Sequence, residues 1–487
     1  MTKDINRTKY KGTRMIHKTS SKKLIALSLA VLTMGATGLI NPVSAEAPDQ
    51  LANLQIKKPL IPISSDFKLD NGMRVIVSED HSTPVASMVI VYDVGARDEL
   101  KGKSGFAHLF EHMMFEGSQN VPKGEFFKYI QSAGGSLNAS THEGYTDYYV
   151  KVPSNQLELA FWLESDRMRS LKVTEENFKN QLDTVKEEKR LRIDNKPYVP
   201  AELEMEELVF DNWSNAHPVI GYFEDLESST VKDVKRFFDT YYVPNNAVMA
   251  VVGDVDSDKV EALARKYFGS IPRGPEPPRP DTKEPVQKAT KLLKVKDSHA
   301  KLPAFWLAWK APARREKASY ELNLLQGVLA MGPSSRLYQR LVKKDQVALT
   351  VSCSYEERRG PSNINFFVIT KPGNDPEKVK AVLLEEIKKI KETPVSAEEL
   401  QKAKNHILKL LFSSGSYYSL QGSLGRAENI AQNASFFGKP DLVNEDIDTY
   451  LSLSAEDLQK TANEVFTESG VTTVDVIPVD EPMVKEK

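Results

Sequence analysis

Gly105-Phe106-Ala107-His108-Leu109-Phe110-Glu111-His112-Met113-Met114-Phe115 sets three polar side chains in an otherwise apolar run. A helix made from this stretch is apolar on nearly every side and therefore buried, and a buried imidazole or carboxylate needs a partner. At about 100° per residue, His112 lies about 40° to one side of His108 and Glu111 about 60° to the other. All three share one arc. Two imidazoles at i and i+4 can grip one Zn2+, and the carboxylate between them can reach a water on that ion. The plainer alternative is a pair of core histidines bonded to backbone. With eight histidines in 487 residues, His-x-x-Glu-His arises by chance in about one such chain per hundred, which favours the metal.

The rest of the chain narrows the chemistry. Its 487 residues, 40% hydrophobic and 27% charged, are ordinary globular composition and enough for two or three domains. The formal charge is −2, but residues 1–45 carry a net +7, leaving −9 for the remainder. That argues against a nucleic-acid partner, whose binding surface is usually basic. Cys353 is the only cysteine. No intrachain disulfide or cysteine-based zinc cluster is therefore possible, and a metal must be held by His and carboxylates. Between Val351 and Tyr355, Cys353 reads as a core strand residue.

Basic residues up to Lys22 and Lys23 precede an apolar stretch from Leu24 to Ile40, and Val43-Ser44-Ala45 then supplies small residues for cleavage. Residues 1–45 read as a signal peptide, with an uncleaved anchor as the alternative and no stable membrane span after cleavage. The mature chain is expected to be exported, and periplasmic. Pro272, Pro275, Pro277, Pro278, Pro280 and Pro285 mark a Pro-rich linker over 272–285, which divides a domain at 46–271 from one at 286–487. The two are related. Val231-Lys232-Asp233-Val234 opens a helix that precedes the strand Val248 to Val252, and Ala455-Glu456-Asp457-Leu458 opens one that precedes the strand Val471 to Val479. Asp233/Asp457 and Asp256/Asp480 share an offset of 224. Each half also opens with strands, Val85 to Tyr92 and Phe305 to Trp309, followed by a helix. The expected fold is α+β, an α/β sandwich occurring twice.

With this motif and this duplication, the chain resembles the pitrilysin family of zinc metallopeptidases, in the bacterial branch similar to mitochondrial processing peptidase. The likeness extends to Asn71-Gly72-Met73 in the opening strand, Leu137-Asn138-Ala139 with Thr146 and Tyr148, Tyr242-Val243-Pro244-Asn245-Asn246, and Gly253-Asp254-Val255. The resemblance implies two homologous halves enclosing a peptide chamber, with one Zn2+ in the N-terminal half only. The second-half helix read at Leu322 to Met331 contains neither His nor Glu.

The resemblance also implies a third ligand, a Glu on a later helix. The helix starting near Thr174 offers Glu187 and Glu188. Phe178, Leu182 and Val185 define its apolar face; Glu188 lies about 80° from the centre of that face and Glu187 roughly opposite. Glu188, 76 positions beyond His112, is the expected ligand, and Glu187 belongs to the solvated charge run Lys186 to Arg192. Gln181 stands where zinc-binding relatives often carry a supporting Glu. It can hydrogen-bond a ligand but adds no negative charge.

These readings imply a zinc endopeptidase for extended or unfolded peptides, with His108, His112 and Glu188 on the metal and Glu111 as the base. The alternative is a subunit that keeps zinc and binds peptide without cleaving it. Asn138 to Thr141 reads as an edge strand able to pair with substrate backbone, Gly134-Gly135 as a turn, and His142-Glu143 as a surface pair on a turn. Self-sufficient members of the family carry an Arg and a Tyr, seven residues apart, after a Ser-Arg-Leu helix. Here Ser335-Arg336-Leu337 is followed by Val342 and Leu349. Either Arg340 or Tyr355 fills in, or a homologous partner subunit supplies the donors.

Overall fold

β3 (Val85–Tyr92) and β6 (Ala247–Gly253) are near-continuous apolar runs, the pattern of strands covered on both faces. They pair at the centre of a six-stranded sheet with β1 (Ser65–Lys68), β2 (Arg74–Glu79), β4 (Ser136–Thr141) and β5 (Thr146–Pro153), in the order β1-β2-β6-β3-β5-β4. β6 runs parallel to β2 and antiparallel to β3. Successive side chains go to opposite faces. Met88, Ile90, Met249 and Val251 enter the core shared with α1 (Phe106–Met113), α2 (Glu125–Ser132), α3 (Leu157–Ser170) and α4 (Glu175–Lys189). Val89, Val91, Ala250 and Val252 pack with Ala427, Ile430 and Ala434 of the helix Ser423–Phe437.

The computed structural model describes residues 59–413 and 419–479, all within one unit, Ile56–Lys487. The signal peptide read at 1–45 and Asp480 lie outside the described residues. Among those described, no helix is long and apolar enough to cross a membrane.

The second sheet contains β7 (Lys291–Asp297), β8 (Ala304–Ala311), β9 (Ala348–Glu356), β10 (Ser362–Thr370) and β11 (Thr472–Pro478), in the order β7-β11-β8-β10-β9. Strand for strand this repeats β2-β6-β3-β5-β4, including the one parallel pair, β7 with β11. The duplication therefore extends from sequence offset to topology, and β1 is the addition. The halves also exchange cover. Ala201, Met205 and Val209 of α5 (Val199–Val209), a first-half helix, pack on Trp306, Ala308, Val474 and Val476 of the second sheet. The second-half helix Ser423–Phe437 covers the first sheet, and the two helices begin 224 positions apart. Residues 272–285 contain neither helix nor strand. They run against the first half, where Asn212 Nδ2 donates to Asp281 O at 2.6 Å and Asn215 Nδ2 to Thr282 O at 2.9 Å.

Two local expectations change. Asn71-Gly72-Met73 is the turn joining β1 to β2 rather than part of a strand: Gly72 has φ +94°, and Asn71 bonds outward to Phe268 O and Ile271 O, both at 2.9 Å. The helix read at Leu322 to Met331 runs Lys317–Ala330 and so includes a Glu, Glu321, which is buried and accepts from Thr461 Oγ1. No sequence signal marks that start, because Glu316 at its N-cap makes no side-chain cap.

Candidate metal centre

α1 is fixed at its first turn before any polar group on it can act. Gly105 precedes it at φ +83°, where an added Cβ would stand 2.8 Å from Ile220 O. The buried Glu99 carboxylate accepts from the N–H of Gly105 at 2.8 Å and of Ala107 at 2.7 Å, so a negative charge sits at the positive end of the helix. His217 Nε2 lies 3.1 Å from the same carboxylate, and its ring stacks on Trp213 at 3.8 Å. Burial raises the Glu99 pKa despite these contacts, and the Glu99 bond and charge raise that of His217 against burial. Glu99→Ala is therefore expected to cost roughly 3–5 kcal/mol, read as a lowered Tm. Because the His217 pKa is raised, its contribution is complete below the ordinary 6.5 and fades as pH climbs through the raised value.

Phe106, Ala107, Leu109, Phe110 and Met113 go into the core, and His108, Glu111 and His112 face a cavity of about 930 Å³. Across it stands α4, started by Thr174, whose side chain accepts from Asn177 N, and anchored by buried Phe178 and Val185. Glu188 turns inward, 16% exposed, with Oε2 at 3.2 Å from His112 Nε2 and 3.7 Å from His108 Nε2. Glu187 turns out, 58% exposed, beside Arg190. His108, His112 and Glu188 each offer one ligand atom, all within 4.8 Å of one another. A tetrahedral Zn2+ with bonds of about 2.0–2.1 Å sets its ligand atoms roughly 3.3 Å apart; Glu188 stands close to that spacing from both imidazoles, and two His with one Glu are the donor types that ion takes.

The electrostatics separate the four groups. Burial, with the neighbouring His112, lowers the His108 pKa to about 4, keeping it neutral. For His112 burial acts in the same direction, but the hydrogen bond and charge of Glu188, with the charge of Glu111, outweigh it and the pKa rises. The His112 hydrogen bond holds Glu188 low against desolvation. Burial raises Glu111, and the bond it accepts from Thr141 Oγ1 at 2.6 Å offsets only part of this.

Four partners escaped the sequence reading. Thr141, read there only as the end of an edge strand, holds Glu111. Glu116, in the bend after α1, pairs with Lys123 and takes a bond from Gln181 Nε2 at 2.7 Å, and Gln181 is in turn hydrogen-bonded to His112. A carboxylate thus stands one residue beyond Gln181, shared with Lys123, and nothing in the sequence marked it. Glu99 and His217 were equally unmarked. His142-Glu143 is not a surface pair: Glu143 meets Arg358 Nη2 at 3.0 Å and His142 stacks on Tyr145 at 4.3 Å. Arg340 is held by Asp345 at 2.6 Å and Tyr355 donates to Pro312 O at 2.7 Å; neither lines the cavity of Glu111. Cys353 is buried in β9, as expected.

Comparison with known proteins decides the family. The sequence model for Insulinase (Peptidase family M16) matches residues 74–215, and that for the Peptidase M16 inactive domain matches 228–407. Zinc protease PqqE of Helicobacter pylori is 32% identical over 429 residues, 86% of this chain and 94% of that protein. The chain belongs to peptidase family M16. A solved protease structure from Helicobacter pylori shares the M16 fold at TM-score 0.81 and 30% identity, covering 86% of this chain and all of that one. The periplasmic protease PqqL of Escherichia coli matches in fold at TM-score 0.70 and 18% identity, over 86% of this chain and 47% of that one.

Proposed function

We propose that this M16 chain is an exported zinc endopeptidase that cleaves extended or unfolded peptides, with the zinc-bearing half at 46–271 and its homologous half at 286–487. The observation that carries the reading is the convergence of His108, His112 and Glu188, with the carboxylate of Glu111 beside them and facing the same cavity. His108, His112 and Glu188 would hold one Zn2+, which when bound supplies Lewis-acid polarisation of a carbonyl and of water. Glu111 accepts the proton of the attacking water and delivers it to the leaving amine. Its raised pKa brings it closer to the working pH and makes that return step easier. Thr141 keeps one carboxylate oxygen fixed, leaving the other for the proton. β4 is the free edge of the sheet and its Asn138–Thr141 segment lines the cavity, so an extended substrate pairs there by backbone bonds with little sequence demand.

Cleavage of a fluorogenic peptide library, abolished by a chelator and restored by Zn2+, tests the reading. Peptide binding without cleavage would instead identify a silent binding subunit, the reading favoured by Val342 and Leu349 in place of hydrogen-bond donors. The ligand assignment has its own test. Glu188→Gln is expected to lower zinc occupancy at least tenfold under mild chelation, and Glu187→Gln to leave it unchanged, by elemental analysis. The reverse result would shift the register of α4 by one residue.

A further inference from the structure

A second cavity, of about 420 Å³, lies between the halves, where the β4–β5 turn meets the β9–β10 turn. Five arginines line it, Arg97, Arg314, Arg315, Arg358 and Arg359, against four carboxylates, Glu143, Glu356, Glu357 and Asp446. Four of the arginines are matched. Arg358 Nη2 is 3.0 Å from Glu143 and Arg315 Nη2 is 2.8 Å from Asp446. Arg359 pairs with Asp93, and Arg314 donates to Gln432 Oε1 at 3.1 Å.

Arg97 is the exception. It is 5% exposed, its Nε meets no acceptor, and among the described residues no carboxylate stands within ion-pair contact of its guanidinium. The chain closes tightly round it, since a Cβ at Gly360 would stand 2.8 Å from Nη1 and one at Gly144 3.4 Å from Cζ. Burial, then the charge of Arg359, pull its pKa down to about 10 against the opposing charges of Asp98 and Glu143, which leaves it cationic at neutral pH. A buried cation that carboxylates act on only from a distance, with none in direct contact, is under-compensated, and an anion meeting its guanidinium reduces that penalty.

The position of the cavity says which anion. Thr141 ends β4 and lines the cavity of Glu111, and His142, the next residue, lines this one. The turn between them is held: Ser140 Oγ lies 3.0 Å from His142 Nε2 and donates to Asp147 at 2.6 Å. An extended peptide laid along β4 past Thr141 therefore runs toward Arg97. The volume suits a side chain or a chain end rather than a monatomic ion.

We propose that this cavity binds a carboxylate of the peptide, an acidic side chain or the C-terminal carboxylate, with Arg97 as its cation. The identity of the ligand as substrate rests on the peptidase reading above; the preference for a carboxylate rests on the cavity alone. The test is calorimetric binding to the full chain of three short peptides alike in length. One has a free C-terminus and neutral side chains, one an amidated C-terminus and a Glu, and one is amidated and neutral. At least one of the two acidic peptides is expected to bind tenfold to a hundredfold tighter than the neutral one, and which one does so separates chain end from side chain. Arg97→Gln is expected to bring that ratio to about one, and Arg97→Lys to retain part of it. Equal binding of all three peptides by the wild type, or a preference that survives in a folded Arg97→Gln chain, overturns the proposal. A carboxylate preference in a chain that cleaves none of the three would sink the peptidase reading and leave this site standing.

Discussion

Glu111→Gln is expected to keep its metal and lose hydrolysis by roughly a hundredfold to ten-thousandfold, the range for removing a positioned general base. The substitution is nearly isosteric. Thr141 Oγ1, which donates to Glu111 Oε2 at 2.6 Å, can donate equally to the amide oxygen of Gln. Burial, the main cause of the raised Glu111 pKa, makes a neutral side chain no harder to accommodate, so fold and Tm should hold. His108, His112 and Glu188 are untouched and keep the ion. Elemental analysis beside single-turnover cleavage separates the two effects. Loss of zinc in this variant would mean that Glu111 is a ligand and that the proton carrier is another group.

The parts of the site that lie within one element could be read from residue order, and those made by distant segments could not. The arc of His108, Glu111 and His112 follows from helical spacing alone; the resemblance pointed to a Glu on the later helix, and the apolar face of Phe178, Leu182 and Val185, with the family spacing, then favoured Glu188 over Glu187. The duplication was visible as an offset because Asp233 and Asp457 each serve a capping box at a helix start, a demand local to four residues. In contrast, Glu99 and His217 are 118 positions apart, and Glu143 and Arg358 pair across the two halves. Nothing in either segment marks the other. The exchange of cover was hidden for a related reason. An amphipathic helix declares that one face is buried, and says nothing of which sheet buries it. The apolar face of α5 is satisfied equally well, in pattern, by either sheet, and only the structure shows that it packs on the second. The turn at Asn71-Gly72 was misplaced because the apolar alternation of Phe67, Leu69, Met73 and Val75 runs across it, while the bonds that fix it come from Asn71 to the end of the helix Ser257–Phe268.

Mixing this chain with a homologous partner that lacks the zinc motif, but carries an Arg and a Tyr after its own Ser-Arg-Leu helix, is expected to raise cleavage by roughly a hundredfold to a thousandfold, the effect of one oxyanion donor. The argument runs through the second half. Val342 is packed against the second core, and Leu349 is 48% exposed on β9; neither side chain can donate a hydrogen bond. The two nearby groups able to substitute are already engaged. Arg340 is held by Asp345, with Glu385 and Glu386 also within ion-pair distance, so releasing it would break several charge contacts. Tyr355 spends its one hydroxyl proton on Pro312 O. Among the described residues the cavity of Glu111 is lined by the first half alone, from α1, β4, α4 and the turn after α4. The one arginine among those lining residues, Arg192, is engaged with Glu188 Oε1 at 2.9 Å, so a carbonyl turned toward Glu111 meets a base on one side and no unengaged Arg or Tyr donor on the other. A second chain facing that open side would complete the arrangement, with the present subunit contributing zinc and Glu111 and its partner contributing the two donors. Full activity from purified monomer or homodimer of this chain alone would sink the idea. So would a partner whose Arg and Tyr can both be replaced by apolar residues without loss of rate in the mixture.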